Sequence, residues 1–145
     1  MSYNLESLQG LNLNFSNSGI AAGTTKGTRK HGSLNYAVNG LAVTKAATDN
    51  IAAPVAELVK PIPADSTAAF ALWIDAAGNY AISQGAIVPG NGKAPSPDDA
   101  GNVIVGLVKV ATGAGTTFTL GTTGFSDAGI TSTFFSAVAL PASPI

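Results

Sequence analysis

NYAVNGLAVTKAATDNI, residues Asn35–Ile51, holds two short runs of alternating apolar residues that meet at Asn39-Gly40. An Asn-Gly pair in that setting is a strong local signal for a two-residue hairpin, because both central residues of a type I′ turn need positive φ. The reading places one strand on Leu34–Val38 and its partner on Leu41–Thr44, with Leu34, Tyr36 and Val38 on one face. Lys45–Asn50 then reads as a turn, in which Asp49 and Asn50 can hydrogen-bond neighbouring backbone.

Toward the C-terminus, Pro54, Pro61 and Pro63 remove backbone donors and fix φ. Residues 51–63 are therefore predicted to be extended, with at most one helical turn near Val55–Val59. A second hairpin follows. Ala69–Ile74 and Tyr80–Ser83 flank Asp75-Ala76-Ala77-Gly78-Asn79, a loop that suits a type I turn followed by a left-handed glycine. Phe70, Leu72 and Ile74 fall on one face and Trp73 on the other, which predicts a strand covered on both sides. After a polar loop at 89–102, Val103–Thr112 reads as the central strand. Its Val103, Val105, Leu107 and Lys109 alternate with Ile104, Gly106, Val108 and Val110. Thr116–Leu120 is its expected hairpin partner, across Gly113-Ala114-Gly115. The β-branched and aromatic residues of Ile130–Leu140 favour a further strand over a helix. Residues 1–33 have no sustained period and read as an extended arm. The expectation is an all-β chain: an N-terminal arm at 1–33 and a β-rich module at 34–145, a compact β-sandwich or barrel-like body built from hairpins.

The 145 residues amount to about one domain. Only 10% are charged and 46% are hydrophobic, against roughly 25% charged in an average soluble domain. Mean hydropathy is +0.30. Either Thr, Ser, Asn and Gly carry the solvation, or partner subunits cover much of the surface, since interface cores are depleted in Lys, Glu and Asp. Homo-oligomerisation is the expectation. There is no cysteine, hence no disulfide and no thiolate metal site. MSYNLESLQG has no basic or apolar signal region. No apolar run reaches the ~18–20 residues that span a bilayer, so no membrane partner is expected. A net charge of −1 gives no support to bulk nucleic-acid binding.

A single histidine rules out a two-histidine metal site within one subunit. Asp98-Asp99 is the only adjacent pair of acids, and neighbours on an extended segment point apart, which is poor geometry for shared proton transfer. No serine lies in a nucleophile-elbow pattern. DAAGN at 75–79, DDAGN at 98–102 and SDAGI at 126–130 repeat a spacing that suits turns, with Asp capping and Gly supplying positive φ. Calcium would need roughly six to eight oxygens, and each loop offers one or two carboxylates. No catalytic, metal or cofactor-binding residue is assigned, and no enzymatic activity is expected.

Lys26, Arg29, Lys30 and His31 form the one concentration of positive charge. The cluster reads as a solvated loop or as a docking surface for an acidic partner; without aromatic platforms it is a weak nucleic-acid signal. Trp73, Phe134 and Phe135 are the candidates for self-association. Adjacent rings at Phe134 and Phe135 take opposite faces of a strand, so one of them must meet solvent, a partner or a second buried layer.

The block Tyr36–Ile51, followed by LWIDAAGNYAI at Leu72–Ile82 and then Gly85, resembles small structural proteins of tailed bacteriophages. In these an apolar hairpin ending in T-K-A-A-T-D-N-I precedes a strand ending in D-A-A-G-N. The resemblance covers about residues 34–110 and is to capsid decoration, or cement, proteins. It implies a β-sandwich or barrel-like module, usually a homotrimer, seated on the outer capsid where major capsid protein subunits meet. It also implies synthesis in the host cytoplasm and a place in the virion. Family members of this kind carry no catalytic residues. Under that reading the arm docks on the shell, and its removal should leave the module folded. A tail, fibre or adhesin module that binds a receptor or glycan is the alternative. It requires Tyr3, Tyr36, Tyr80 and Trp73 to converge in a surface patch. A non-virion carbohydrate-binding or pilus-like domain is a third possibility.

Overall fold

The computed structural model describes residues 12–52, 59–100, 103–136 and 144–145. These residues form eleven strands and no helix. In chain order the strands are β1 (Leu13–Asn14), β2 (Ala21–Ala22), β3 (Arg29–His31), β4 (Leu34–Val38), β5 (Leu41–Lys45) and β6 (Thr48–Ile51). They continue with β7 (Ser66–Ile74), β8 (Tyr80–Gln84), β9 (Val88–Pro89), β10 (Val103–Thr112) and β11 (Ile130–Ser136). All pairings are antiparallel and make three sheets: β1-β4-β5, β2-β3-β6, and a larger sheet in the order β11-β10-β7-β8, with β9 beside the start of β7. The chain is an all-β, sandwich-like module.

Both hairpins form where their turn residues place them. Asn39 and Gly40 have φ of 50° and 76°, the pair of positive values a type I′ turn demands, and β4 pairs with β5 from Val38↔Leu41 to Leu34↔Lys45. Gly78 has φ 82° and closes the β7–β8 turn, while Asp75 accepts from the amides of Ala77 (2.9 Å) and Asn79 (2.8 Å). Lys45–Asn50 is a shorter turn than expected, because Thr48 already begins β6.

Every residue of β7 is buried. Phe70, Leu72 and Ile74 enter a main core with Leu34, Tyr36 and Val38 of the small sheet. Ala71 and Trp73 enter a second cluster with Ile104 and Leu107. The β10 strand is central, as expected, but strict alternation misassigns its faces. A bulge between Ile104 and Gly106 inserts one residue. Val103 and Val105 therefore share the main core with Val108 and Val110, while Ile104 and Leu107 share the other cluster.

The expected partnership of Thr116–Leu120 with β10 is not formed. The two sides of β10 are taken by β7 and β11. Residues 113–129 instead make a loop whose base is closed by Gly113 N donating to Gly129 O (2.8 Å), and Phe118 pairs with Ile62 through two backbone hydrogen bonds. This detour delivers Phe118 and Phe125 into the core, in a row of rings Phe70–Phe118–Phe125–Phe134 with centroids 5.2–5.9 Å apart.

The N-terminal stretch is extended, yet its described part is not free of the module. Residues 12–33 supply β1, β2 and β3 and the core residue Ile20. Ser18 Oγ donates to Val105 O (2.6 Å), a carbonyl at the bulge. Gly106 permits the crossing: a Cβ there would lie 2.6 Å from Ile20 Cγ2 and 2.8 Å from Phe135 O. The expected helical turn near Val55–Val59 and the distal part of Ile130–Leu140 lie largely outside the described residues.

Candidate functional site

The positive cluster divides by strand alternation. Its last three residues form a strand rather than a loop, β3, which buries its first and third side chains and exposes the middle one. Arg29 is 1% exposed, and its Nη2 donates to Ile51 O (3.4 Å) and Ala52 O (3.2 Å). Burial lowers its pKa to about 10. Lys30 faces outward. Lys26 sits in the preceding loop and pairs with Asp127 at 2.8 Å. Of the four residues singled out in the sequence, Lys26 and Lys30 are the two that project to solvent.

His31 is 4% exposed and joins two sheets. Its Nδ1 lies against Gly32 O, and a carbonyl can only accept, so Nδ1 carries the proton. Nε2 then accepts from the Tyr80 hydroxyl on β8 at 2.7 Å. Burial pushes the imidazole pKa below its ordinary value, the Lys45 charge adds to this, and the Gly32 carbonyl opposes it. Lys45 Nζ stands 5.4 Å from the Tyr80 ring centroid and donates to Gly78 O at 3.2 Å. The arrangement is a structural tie. It holds a neutral imidazole at a sheet junction.

The carboxylates are occupied in turns. The Thr24 hydroxyl and amide hold the Asp49 pKa below the usual carboxylate range. The Asn79 amide and side chain do the same for Asp75, and Lys26 followed by the Gly124 amide for Asp127. The Asp75 loop thus shows the capping role read from sequence, whereas Asp127 accepts from the Gly124 amide upstream of its loop and only Gly129 (φ 79°) plays its expected part. Gly101 and Asn102 of the third lie outside the described residues. Asp98 and Asp99 are exposed. Among the described residues no group of three or more His, Asp or Glu could hold a metal ion.

Of the self-association candidates, Trp73 is 4% exposed within the second cluster and donates from Nε1 to Ser83 Oγ at 2.9 Å. Phe134 packs against the main core, and Phe135, on the other face, is exposed. Phe15 and Leu41 are also exposed, and the sequence reading did not single them out for a surface role. Phe15 is placed by pairing with a separate segment, its amide donating to Asn35 O, whereas Leu41 is placed by the local Asn39-Gly40 hairpin. Tyr36 and Trp73 are both buried and Tyr80 is half-buried, while Tyr3 lies outside the described residues. The aromatic patch required by a receptor- or glycan-binding module is not formed by the described members of that set.

Comparison with protein-family models, curated proteins and solved structures found no significant match.

Proposed function

We propose that the chain is a structural virion protein of the capsid decoration type, which binds the outer shell at contacts between major capsid subunits and stabilises it. The observation that carries this reading is the use of the ionisable groups. Asp49, Asp75 and Asp127 are engaged in loop hydrogen bonds, and Arg29 and His31 are buried in sheet junctions. Such a body suits a role of contact rather than chemistry. The resemblance of Tyr36–Ile51 and Leu72–Ile82 to tailed-phage structural proteins supports the same reading, because those segments include the β4–β5 and β7–β8 hairpin turns. Exposed Lys26 and Lys30 are the cations available to an acidic shell surface. A subunit that binds only the mature shell stabilises it by mass action, and many copies on one shell multiply the effect.

Co-sedimentation with intact heads tests the reading. The chain should pellet with mature shells, and shells lacking it should rupture earlier on heating or dilution of salt. Binding to host cells or glycan without affinity for any shell would overturn it in favour of a receptor-binding module.

A further inference from the structure

The edges of the three sheets are not alike. Natural sheets protect their edges with short strands, charges, proline or bulges, because a bare edge offers unpaired backbone groups to another chain. Here β1 and β2 are two residues each. β6 carries Asp49 and the positive-φ residue Asn50, and β5 ends in Lys45. β8 is met at its end by Lys60, whose amide donates to Gln84 Oε1 and whose carbonyl accepts from Gln84 Nε2. The longest of these edges is β11, whose Ser132 Oγ donates to Phe125 O at 2.7 Å. It runs for seven residues, ITSTFFS, without charge or proline, pairs in unbroken register with β10, and has no strand on its other side among the described residues.

We infer that the free edge of β11 is a self-association surface that pairs antiparallel with β11 of a second copy about a two-fold axis near Thr133. The choice of a second copy rests on the strand itself. Antiparallel pairing centred on Thr133 sets Thr131 opposite the other copy's Phe135 on the exposed face, and Ser132 opposite its Phe134 on the core-facing side. The first is an aromatic to β-branched pair, among the cross-strand combinations that stabilise sheets. The edge has no charge to attract an acidic or basic segment, and the chain's net charge of −1 presents little repulsion between copies. The same face is where Phe135 stands exposed. An isologous edge pair closes on itself, so growth stops at two copies and the bare edge is removed. This surface is independent of shell binding, and it replaces the three-fold contact expected from the resemblance with a two-fold one.

Light scattering after gel filtration of the full chain, over a range of concentrations, reads the outcome. Wild type should elute at twice the chain mass. Thr133→Lys should halve that mass, because it would gather two new lysines and both copies of Lys109, which lies opposite Thr133 in the β10–β11 register. A Tm within a few degrees of wild type would show that this variant is folded. The chain has no cysteine, so Thr133→Cys supplies a second reading that does not depend on disruption. Under mild oxidant it should form a covalent dimer at a rate well above Ser126→Cys, which places a thiol on an exposed loop elsewhere. A monomeric or trimeric wild type, open-ended growth with concentration, an undisturbed dimer in Thr133→Lys, or equal cross-linking of the two cysteine variants would each overturn the proposal.

Discussion

His31 and Gly106 are the residues at which a single atom has the largest reach. The neutral imidazole of His31 fits its site because one nitrogen donates to Gly32 O and the other accepts from Tyr80. Its folded pKa lies below the ordinary 6.5, so the folded state binds that proton less well than the unfolded chain does. Stability from this group is complete above about pH 6.5 and is lost as pH falls from there through the depressed folded value. The three turn aspartates, also depressed below their ordinary 3.8, act in a separate and lower window. Thermal melts should therefore show a fall in Tm between pH 7 and 5 that flattens in His31→Gln, while the loss below pH 4 is common to both proteins. Gly106 makes a different demand. Valine there drives its Cβ into Ile20 and the Phe135 carbonyl, and should cost about 1–3 kcal/mol, seen as a lower denaturation midpoint with an unchanged slope. A Tm equal to wild type in Gly106→Val would mean that the Ser18–Ile20 crossing is not tightly packed.

Elements defined by their own turns were legible in the sequence, and elements defined by distant partners were not. Asn39-Gly40 and Asp75–Asn79 encode their hairpins locally, since positive φ and Asx capping need only neighbouring residues. The central position of β10 followed from its length and apolar content. Its faces did not, because a bulge shifts the parity after Ile104 and leaves no mark in the alternation beyond a glycine. The expectation that Thr116–Leu120 would pair with β10 failed for the opposite reason. A short glycine-rich link suggested a local hairpin, but Phe118 gains more by entering the core between Phe70 and Phe125. Phe118→Ala should accordingly cost about 3–5 kcal/mol, the range for emptying a buried ring site. A loss below about 1 kcal/mol by denaturant titration would place Phe118 outside the core. At the candidate site the cations were visible in the sequence and their partition was not. Placing Arg29 and His31 inward and Lys30 outward requires knowing that this stretch is a strand sandwiched between β2 and β6.

At the scale of the molecule, the described N-terminal stretch and the β module are one body. Ser18 bonds the β10 bulge, Ile20 lies in the main core, and His31 ties β3 to Tyr80 of β8. Deleting residues 1–33 would remove all three contacts, so loss of shell binding in that truncation would say only that the protein had unfolded. The charge question has to be put at the surface instead. Lys26 and Lys30 project outward, and the exposed Lys26–Asp127 pair is screened by solvent, so its loss should matter little to stability. The double variant Lys26→Glu/Lys30→Glu should keep the wild-type Tm to within a few degrees. If the decoration reading holds, and the shell presents an acidic surface, the same variant should lose co-sedimentation with mature heads. Wild-type binding should then weaken as salt rises, because exposed charges are screened within about 10 Å at 0.1 M ionic strength. Undiminished and salt-insensitive binding by the double variant would remove the cations from the contact. Shell attachment would then fall to the exposed apolar residues Leu41, on β5 of the Asn39-Gly40 hairpin, and Phe15, which directly follows β1.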